Sequence, residues 1–409
     1  MDITLKRLRE AWENMDTLQK IQETIEAAGG EIFVVGGPVR DKVLGKTPKD
    51  IDFLVRKLTL EQIAAAIRTI GKADEVGKAF GVVKGTVDGD VYDFAIPRTK
   101  EVKTGDSHTD FTVQTDPNAS VEDDMKRRDF TWNSMAMSLR DFIAGDMHAV
   151  IDPNGGMQDL KNKVLRAVGD PAARFGEDPL RMLRAIQFAT RMGFDIEGET
   201  LVAIQTLKGK LKSVSGERIL EEFKKAWTKG NADSEVFIAL LEKTGVGKLL
   251  FGADFAPQPV KLDFGAPLKA SDDIVAARMV AFFLKGGNIA VMKPEAIQVK
   301  FLEVAKKTFF SEEPPFTFIG NMKPLLPILF AVAMELDEVI AEKVRKMMDT
   351  PITAKELAVG GEEIASFLGV KPGKEIGMAQ RMMLAALWEG SVKNNRDELL
   401  NLVAANIKK

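Results

Sequence analysis

The chain has no cysteine, which removes disulfides, thiolate metal sites and a cysteine nucleophile together. Histidine is almost as scarce: with only His108 and His148, a multi-histidine metal cluster is excluded as well. No apolar run reaches membrane-spanning length, and the segment Met1 to Glu10 is charged and helical in pattern, unlike a signal peptide. A soluble, cytoplasmic protein with no membrane association is expected. Neither charge sign dominates, since 57 basic residues face 60 acidic ones for a formal −3, so any attraction for nucleic acid has to come from local basic surface. At 409 residues the chain is long for one core, and about two to four packed units are expected.

The chain is readable in outline. Residues 3 to 28 suggest a leading helix stopped by Gly29-Gly30, and residues 31 to 140 mix strand-like and helical segments. Beyond about residue 157 the pattern is nearly all helical. A Gly- and Pro-containing stretch from Phe251 to Pro267 reads as a linker, and Asp349-Thr350-Pro351 marks a boundary before a small terminal unit. No internal repeat is present.

The chemistry begins at Phe33-Val34-Val35-Gly36-Gly37-Pro38-Val39-Arg40-Asp41. Ile32 to Val35 predicts a short buried strand, Gly36-Gly37 a turn with φ > 0 that bares backbone N–H groups, and Asp41 to Leu44 the opening of a helix. Such N–H groups and the Arg40 charge suit a phosphate. Ile51 to Val55 predicts a second strand, whose alternation puts Asp50 and Asp52 on one face. Paired carboxylates are hard ligands suited to Mg²⁺, although an isolated Asp-x-Asp is usually a solvated strand end. Asp93, in the alternating run Val91 to Ile96, offers a third carboxylate or a solvent-facing side chain. In Arg127-Arg128-Asp129-Phe130-Thr131-Trp132-Asn133, arginine can grip triphosphate oxygens while Asp129 and Asn133 can accept ribose hydroxyls; taken alone, the segment reads first as a charged helix start capped by Asp129. Glu177-Asp178-Pro179 predicts a helix start, after which Arg181, Arg184, Gln187 and Arg191 line one face.

Taken in order, Gly-Gly-x-Val-Arg-Asp, Asp-Ile-Asp, Arg-Arg-Asp-Phe-Thr-x-Asn, Asp152-Pro153-x-Gly155-Gly156-x-x-Asp159-Leu160 and Glu-Asp-Pro-x-Arg-x-x-Arg resemble the class II tRNA nucleotidyltransferases. These are the CCA-adding enzymes and bacterial poly(A) polymerases of the DNA polymerase beta superfamily. Ser215-Gly216-Glu217-Arg218-Ile219 looks like the family's next helix motif, and Gly361, Leu368-Gly369-Val370-x-Pro372-Gly373 and Ile376-Gly377 are similar to its RNA-binding tail. The resemblance implies an α+β fold: a small mixed-sheet nucleotidyltransferase head of the five-stranded type over residues 1–145, then an all-helical neck (146–229), body (230–348) and RNA-binding tail (349–409).

It also implies roles. Asp50 and Asp52 would bind Mg²⁺, with Asp93 as the third catalytic carboxylate. Gly36, Gly37, Arg40 and Arg128 would hold the triphosphate, and Asp129 and Asn133 would face the ribose. Cytosine and adenine each present an exocyclic amine donor beside a ring-nitrogen acceptor, whereas uracil and guanine present a carbonyl beside a ring N–H. One acceptor plus one donor therefore accepts C and A; in the family this template role falls on the positions of Asp178 and Arg181, with Arg184 supporting them or reaching the nucleotide. Gln187 stands where many relatives carry arginine. The segment Arg98 to Phe111 looks like the flexible loop of enzymes that complete CCA, and no Arg-rich strand of the bacterial poly(A) polymerases follows Asp52. The expected partners are the tRNA 3′ end, CTP and ATP, with no protein partner evident. RNA contact is expected from Lys208, Lys210, Lys212, Arg218, Lys224, Lys225 and Lys229, and from Lys343, Arg345, Lys346, Lys371 and Lys374, any of which can equally be a solvated helix residue. Poly(A) polymerase and a catalytically silent RNA-binding relative are the alternatives.

Overall fold

The computed structural model describes residues 2–48, 50–74, 81–103, 111–228, 234–258, 271–294 and 296–407. The chain divides into two compact units, Met1–Ser215 and Gly216–Lys409.

In the first unit, helix α1 (Asp2–Ala27) ends before the Gly29-Gly30 pair expected to stop it. Then come β1 (Glu31–Val35), α2 (Gly37–Val43), β2 (Asp52–Arg56), α3 (Leu60–Arg68), β3 (Lys72–Asp74), β4 (Val82–Val87) and β5 (Asp90–Ala95). They are followed by β6 (Arg98–Lys103), β7 (Phe111–Thr115), α4 (Val121–Met125), β8 (Ala136–Ser138) and α5 (Leu139–Ala144). Helices α6 (Gly156–Asn162), α7 (Pro171–Glu177) and α8 (Leu180–Met192) complete the motif-bearing part.

Six strands form one mixed sheet in the order β3-β4-β5-β2-β1-β8, one more than the five-stranded type expected. Its two edge strands, β3 and β8, have three residues each, too few for alternation to register in the sequence. β1 runs antiparallel to β2 and β8, whereas β2 pairs parallel with β5 in the register Asp52↔Asp93, Phe53↔Phe94, Leu54↔Ala95. The pleat sorts these pairs onto opposite faces. On one face Phe53 stacks on Phe94 with centroids 5.1 Å apart, and a Cβ added at Gly85 would strike Phe94 at 2.8 Å and Ile67 of α3 at 2.9 Å. The other face carries Asp52 and Asp93; there Val35, Leu54 and Ala136 pack with Val121 and Met125 of α4. The apolar layer thus leaves the carboxylates at the sheet end that α4 and its following turn overlook.

The segment expected as a loop from Arg98 opens instead as a strand: β6 pairs antiparallel with β7, with an irregularity between Arg98 and Lys100. Its β-branched residues favour that pairing. Residues 104–110 of the same segment, including His108, lie outside the described residues, as do 75–80, Lys229 and the 259–267 part of the expected linker. The expected helical stretch beyond residue 157 is interrupted by a parallel pair of short strands, Val164–Leu165 and Asp195–Ile196.

The second unit is helical among its described residues, from Gly216–Thr228 to Arg396–Ile407. Phe223 sits edge-on to Trp227, Phe237 and Phe251 at 5.4, 5.1 and 5.4 Å. The helix Glu338–Asp349 ends at the predicted boundary, and beyond it Leu357, Ile364, Met383, Leu399 and Val403 belong to a separate apolar cluster. No helix among the described residues is long and apolar enough to cross a membrane.

Candidate functional site

Strand register brings Asp52 and Asp93 together at the wall of a cavity of about 360 Å³. Asp50 reaches the site by another route. β2 begins at Asp52, so the alternation predicted to align the two does not extend to Asp50, which sits exposed in the preceding bend. Asp52 remains open to solvent, yet partial burial raises its carboxyl pKa; the Asp93 charge adds to the rise, the Arg128 guanidinium opposes it, and the Asp50 charge adds again. Crowded carboxylates of this kind are relieved by a divalent cation. Among the described residues no three acidic or histidine side chains close into a ready metal cage. The oxygen donors of Asp52 and Asp93 suit a hard divalent cation of the kind that keeps waters and takes further ligands from substrate phosphates.

Arg98, Arg127, Arg128 and Arg181 line the same cavity, together with Asp124. Asp124 is buried and accepts from Arg128 Nη2 at 3.1 Å and from the Arg98 backbone N–H at 3.2 Å. It thereby ties the root of the β6–β7 hairpin to the arginine beside the carboxylates. Sequence reasoning passed over Asp124; its i,i+4 spacing to Arg128 is the signal that points to it. Arg127 was seen only as one of a pair, but its Nε is buried without a hydrogen-bond partner and its carbonyl accepts from Arg181 Nη2 at 3.4 Å.

The glycine turn closes on the same arginine. Gly36 adopts φ 75 and ψ −124, a backbone that demands glycine, and an added Cβ would lie 2.7 Å from Arg128 Nη1 and displace that guanidinium. α2 starts at Gly37, earlier than the predicted Asp41, because Pro38 fits a helical first turn. Turn and helix N-terminus are one feature.

Arg40 departs from its expected role. It is 9 % exposed, donates from Nη1 to Asn133 Oδ1 and from Nε to Asp41 Oδ1, both at 2.8 Å, and lies 5.3 Å from the Trp132 ring centroid. Its guanidinium is committed inside the fold as support for Asn133. Asn133 Nδ2 donates to Asp129 Oδ1 at 3.3 Å, and Arg184 donates to Asp129 Oδ2 from Nε at 3.0 Å and Nη2 at 2.7 Å. Burial alone would push the Asp129 carboxyl pKa up, but Arg184 and then Arg181 outweigh it and hold the group below its ordinary value.

The Asp-Pro-x-Gly-Gly motif buttresses this pair from behind. Asp152 accepts the N–H groups of Gly156 and Met157 at 2.7 and 2.9 Å, and Gly156 packs so close that a Cβ would lie 2.3 Å from the Thr131 carbonyl oxygen. Asp159 accepts from Thr131 Oγ1 at 2.7 Å.

On α8, Asp178 accepts the Leu180 N–H at 3.1 Å, the capping expected of Asp before Pro. Arg181 follows one turn later and pairs with Glu177 at 2.7 Å, while the other Glu177 oxygen meets Arg174 at 2.7 Å. Gln187 is 1 % exposed and its Nε2 lacks a hydrogen-bond partner, so the predicted polar stripe turns into the protein at that position. Of the cations expected to meet RNA, Lys224 and Lys225 pair with Glu221 and Glu222 at 3.0 and 2.8 Å. Lys343 donates to the carbonyls of Thr308 and Ser311 at 3.0 and 2.8 Å, a helix-end contact.

Comparison with known proteins agrees with this geometry. The family model described as the poly A polymerase head domain matches residues 32–166, and that described as the probable RNA and SrmB-binding site of polymerase A matches residues 193–254. The chain is 30% identical to a CCA-adding enzyme of Levilactobacillus brevis, over 96% of this chain and 98% of the relative. Identity to a Streptococcus thermophilus CCA-adding enzyme is also 30%, over 94% of this chain and 95% of that one. The fold matches the crystal structure of the Bacillus stearothermophilus CCA-adding enzyme in complex with CTP at a TM-score of 0.67 and 24% identity, covering 96% of this chain and 97% of that one. With the head-domain match spanning the carboxylates and the glycine turn, and the similarity running nearly end to end, the chain belongs to the CCA-adding enzyme family of nucleotidyltransferases.

Proposed function

We propose that this protein adds C, C and A to tRNA 3′ ends from CTP and ATP, without a nucleic-acid template and with release of pyrophosphate. The observation that carries this reading is the single cavity lined by Asp52, Asp93 and Arg181, in a chain whose relatives of near-equal length are CCA-adding enzymes.

The tRNA 3′-hydroxyl oxygen attacks the α-phosphorus in line and gives its proton to water, and the bond from the α-phosphorus to the oxygen that bridges to the β-phosphate breaks to free pyrophosphate. Asp50 and Asp52, with Asp93 beside them, would hold Mg²⁺, which would supply charge neutralisation for phosphoryl transfer. The Gly37 N–H and the Arg128 guanidinium bind the triphosphate, Gly36 shapes the turn with its own N–H donated to the Met135 carbonyl at 2.9 Å, and Arg40 fixes Asn133. Asp129 and Asn133 accept the ribose hydroxyls. Asp178 accepts from the exocyclic amine of C or A while Arg181 donates to the ring nitrogen, and a mismatched base leaves these groups unpaired at roughly 1–3 kcal/mol each. Arg184 contributes through its hold on Asp129. Addition of all three nucleotides belongs to this reading through the resemblance of the Arg98 to Phe111 segment to the loop of enzymes that complete CCA, a segment that opens as the paired strand β6. The four-part division into head, neck, body and tail belongs to the same reading, supported for the tail by its own apolar cluster. So does action in the cytoplasm, where a tRNA-processing role fits.

The test is incubation of tRNA lacking its 3′ end with Mg²⁺ and each labelled triphosphate, singly and combined. Ordered uptake of two C and one A is expected. Long A tracts would make the protein a poly(A) polymerase, and no incorporation would leave an RNA-binding relative.

A further inference from the structure

The carboxylate of Asp129 is gripped on both oxygens. Arg184 donates Nε and Nη2 to Oδ2 at 3.0 and 2.7 Å, while Oδ1 accepts Asn133 Nδ2 at 3.3 Å and the Phe130 N–H at 2.9 Å. The Arg184 guanidinium lies 5.3 Å from the Phe188 ring centroid, and that ring packs edge-on to Phe130 and Trp132 at 5.9 and 5.3 Å. A planar fork stacked on a ring and bonded through two nitrogens has its orientation set by the fold. Arg181, three residues earlier on the same helix, is drawn elsewhere: it pairs with Glu177 and lines the cavity of Asp52 and Asp93.

From this geometry we infer that Arg184 is a positioning residue for the sugar and not a reader of the base. α8 then carries two separable functions, base choice through Asp178 and Arg181, and ribose choice through the hold of Arg184 on Asp129. The inference rests on the ribose role proposed for Asp129 and Asn133. With Oδ2 fixed by Arg184, the exchangeable acceptor site is the Oδ1 lone pair that Asn133 Nδ2 holds only at 3.3 Å; a 2′-hydroxyl can take that place as donor and a deoxyribose cannot. Released from the fork, the carboxylate rotates, and the advantage of ribose over deoxyribose shrinks.

The experiment measures kcat/KM for CTP, 2′-deoxy-CTP and UTP on a tRNA lacking CCA, with wild type, Arg184→Met, Arg184→Lys and Asp129→Asn, each checked for folding by thermal melting. Arg184→Met is expected to lower the CTP over deoxy-CTP ratio by about ten- to a hundredfold, the worth of one charge-assisted partner, with the CTP over UTP ratio unchanged. Arg184→Lys keeps the charge and loses the fork, so it should fall between. Adding Arg184→Met to Asp129→Asn should change the sugar ratio no further, because both act through one contact. A lowered CTP over UTP ratio with the sugar ratio intact overturns the inference. If Asp129→Asn itself leaves the sugar ratio unchanged, the ribose role of Asp129 fails; if it lowers the ratio and Arg184→Met does not, the role of Arg184 alone fails. Should Arg184→Met not fold, Arg184→Lys decides in the same way, a lowered sugar ratio supporting the inference and an unchanged one overturning it.

Discussion

The strand carboxylates and the first arginine of α8 line one cavity but are held by different means. Asp52 and Asp93 are placed by backbone register, and their charges press on one another, so that Asp52 is harder to ionise once burial is added. The α8 arginines are matched to carboxylates of the fold itself, Arg181 to Glu177 and Arg184 to Asp129, each at 2.7 Å. Crowded like charges are poised for a cation from outside, whereas a paired guanidinium is preset for recognition. On the proposed reading, the difference teaches that phosphate chemistry can be carried by a sheet end, while the choice of nucleotide needs side chains braced one against another.

The comparison breaks most sharply at Asp52→Ala. Incorporation should fall by roughly three orders of magnitude, the scale of losing a preorganised charge-stabilising contact, with tRNA binding in a gel-shift assay unchanged. Near-normal turnover would take the carboxylates out of the chemistry.

On the paired side, Asp129→Asn strips Arg184 of its partner and should destabilise the protein by about 2–4 kcal/mol in urea unfolding at neutral pH. The pH dependence sharpens this. Burial raises the Asp129 pKa, but the arginines hold it below the ordinary 3.8. Its contribution to stability is therefore complete above that ordinary value and is lost as pH falls through the lower folded-state pKa. The gap between wild type and the variant should narrow on acidification below about pH 4, and a gap constant into acid would contradict the pairing.

A smaller effect is expected at Gly36→Ala, where a positive φ and a 2.7 Å approach to Arg128 Nη1 meet. Backbone strain of roughly 1–2 kcal/mol should appear as a lower melting temperature, with a raised KM for triphosphate and an unchanged base ratio. A shifted base ratio would show that the turn and α8 are not separable.

Part of the candidate site was legible because chemistry dictates residue type there: glycine at a tight turn with positive φ, and the carboxylates Asp52 and Asp93 that meet at one cavity. The strands β1 and β2 followed from their apolar runs. Asp50 was misplaced because alternation says nothing about where a strand begins. Arg40 was read as a phosphate ligand because its partner Asn133 lies 93 residues away, beyond any local pattern. Gln187 sits on the correct helix yet faces inward, since helical periodicity gives a stripe but not what packs against it. β6 was missed because a polar, charged composition masks a strand paired with its own hairpin partner.

The division between chemistry and choice is tested most directly by single-turnover incorporation of CTP and UTP by wild type, Asp52→Ala and Arg181→Ala side by side. Asp52→Ala should lose rate with both nucleotides together, and Arg181→Ala should lower the CTP over UTP ratio by about ten- to a hundredfold. A fall in rate at Arg181→Ala with the ratio unchanged would contradict the account.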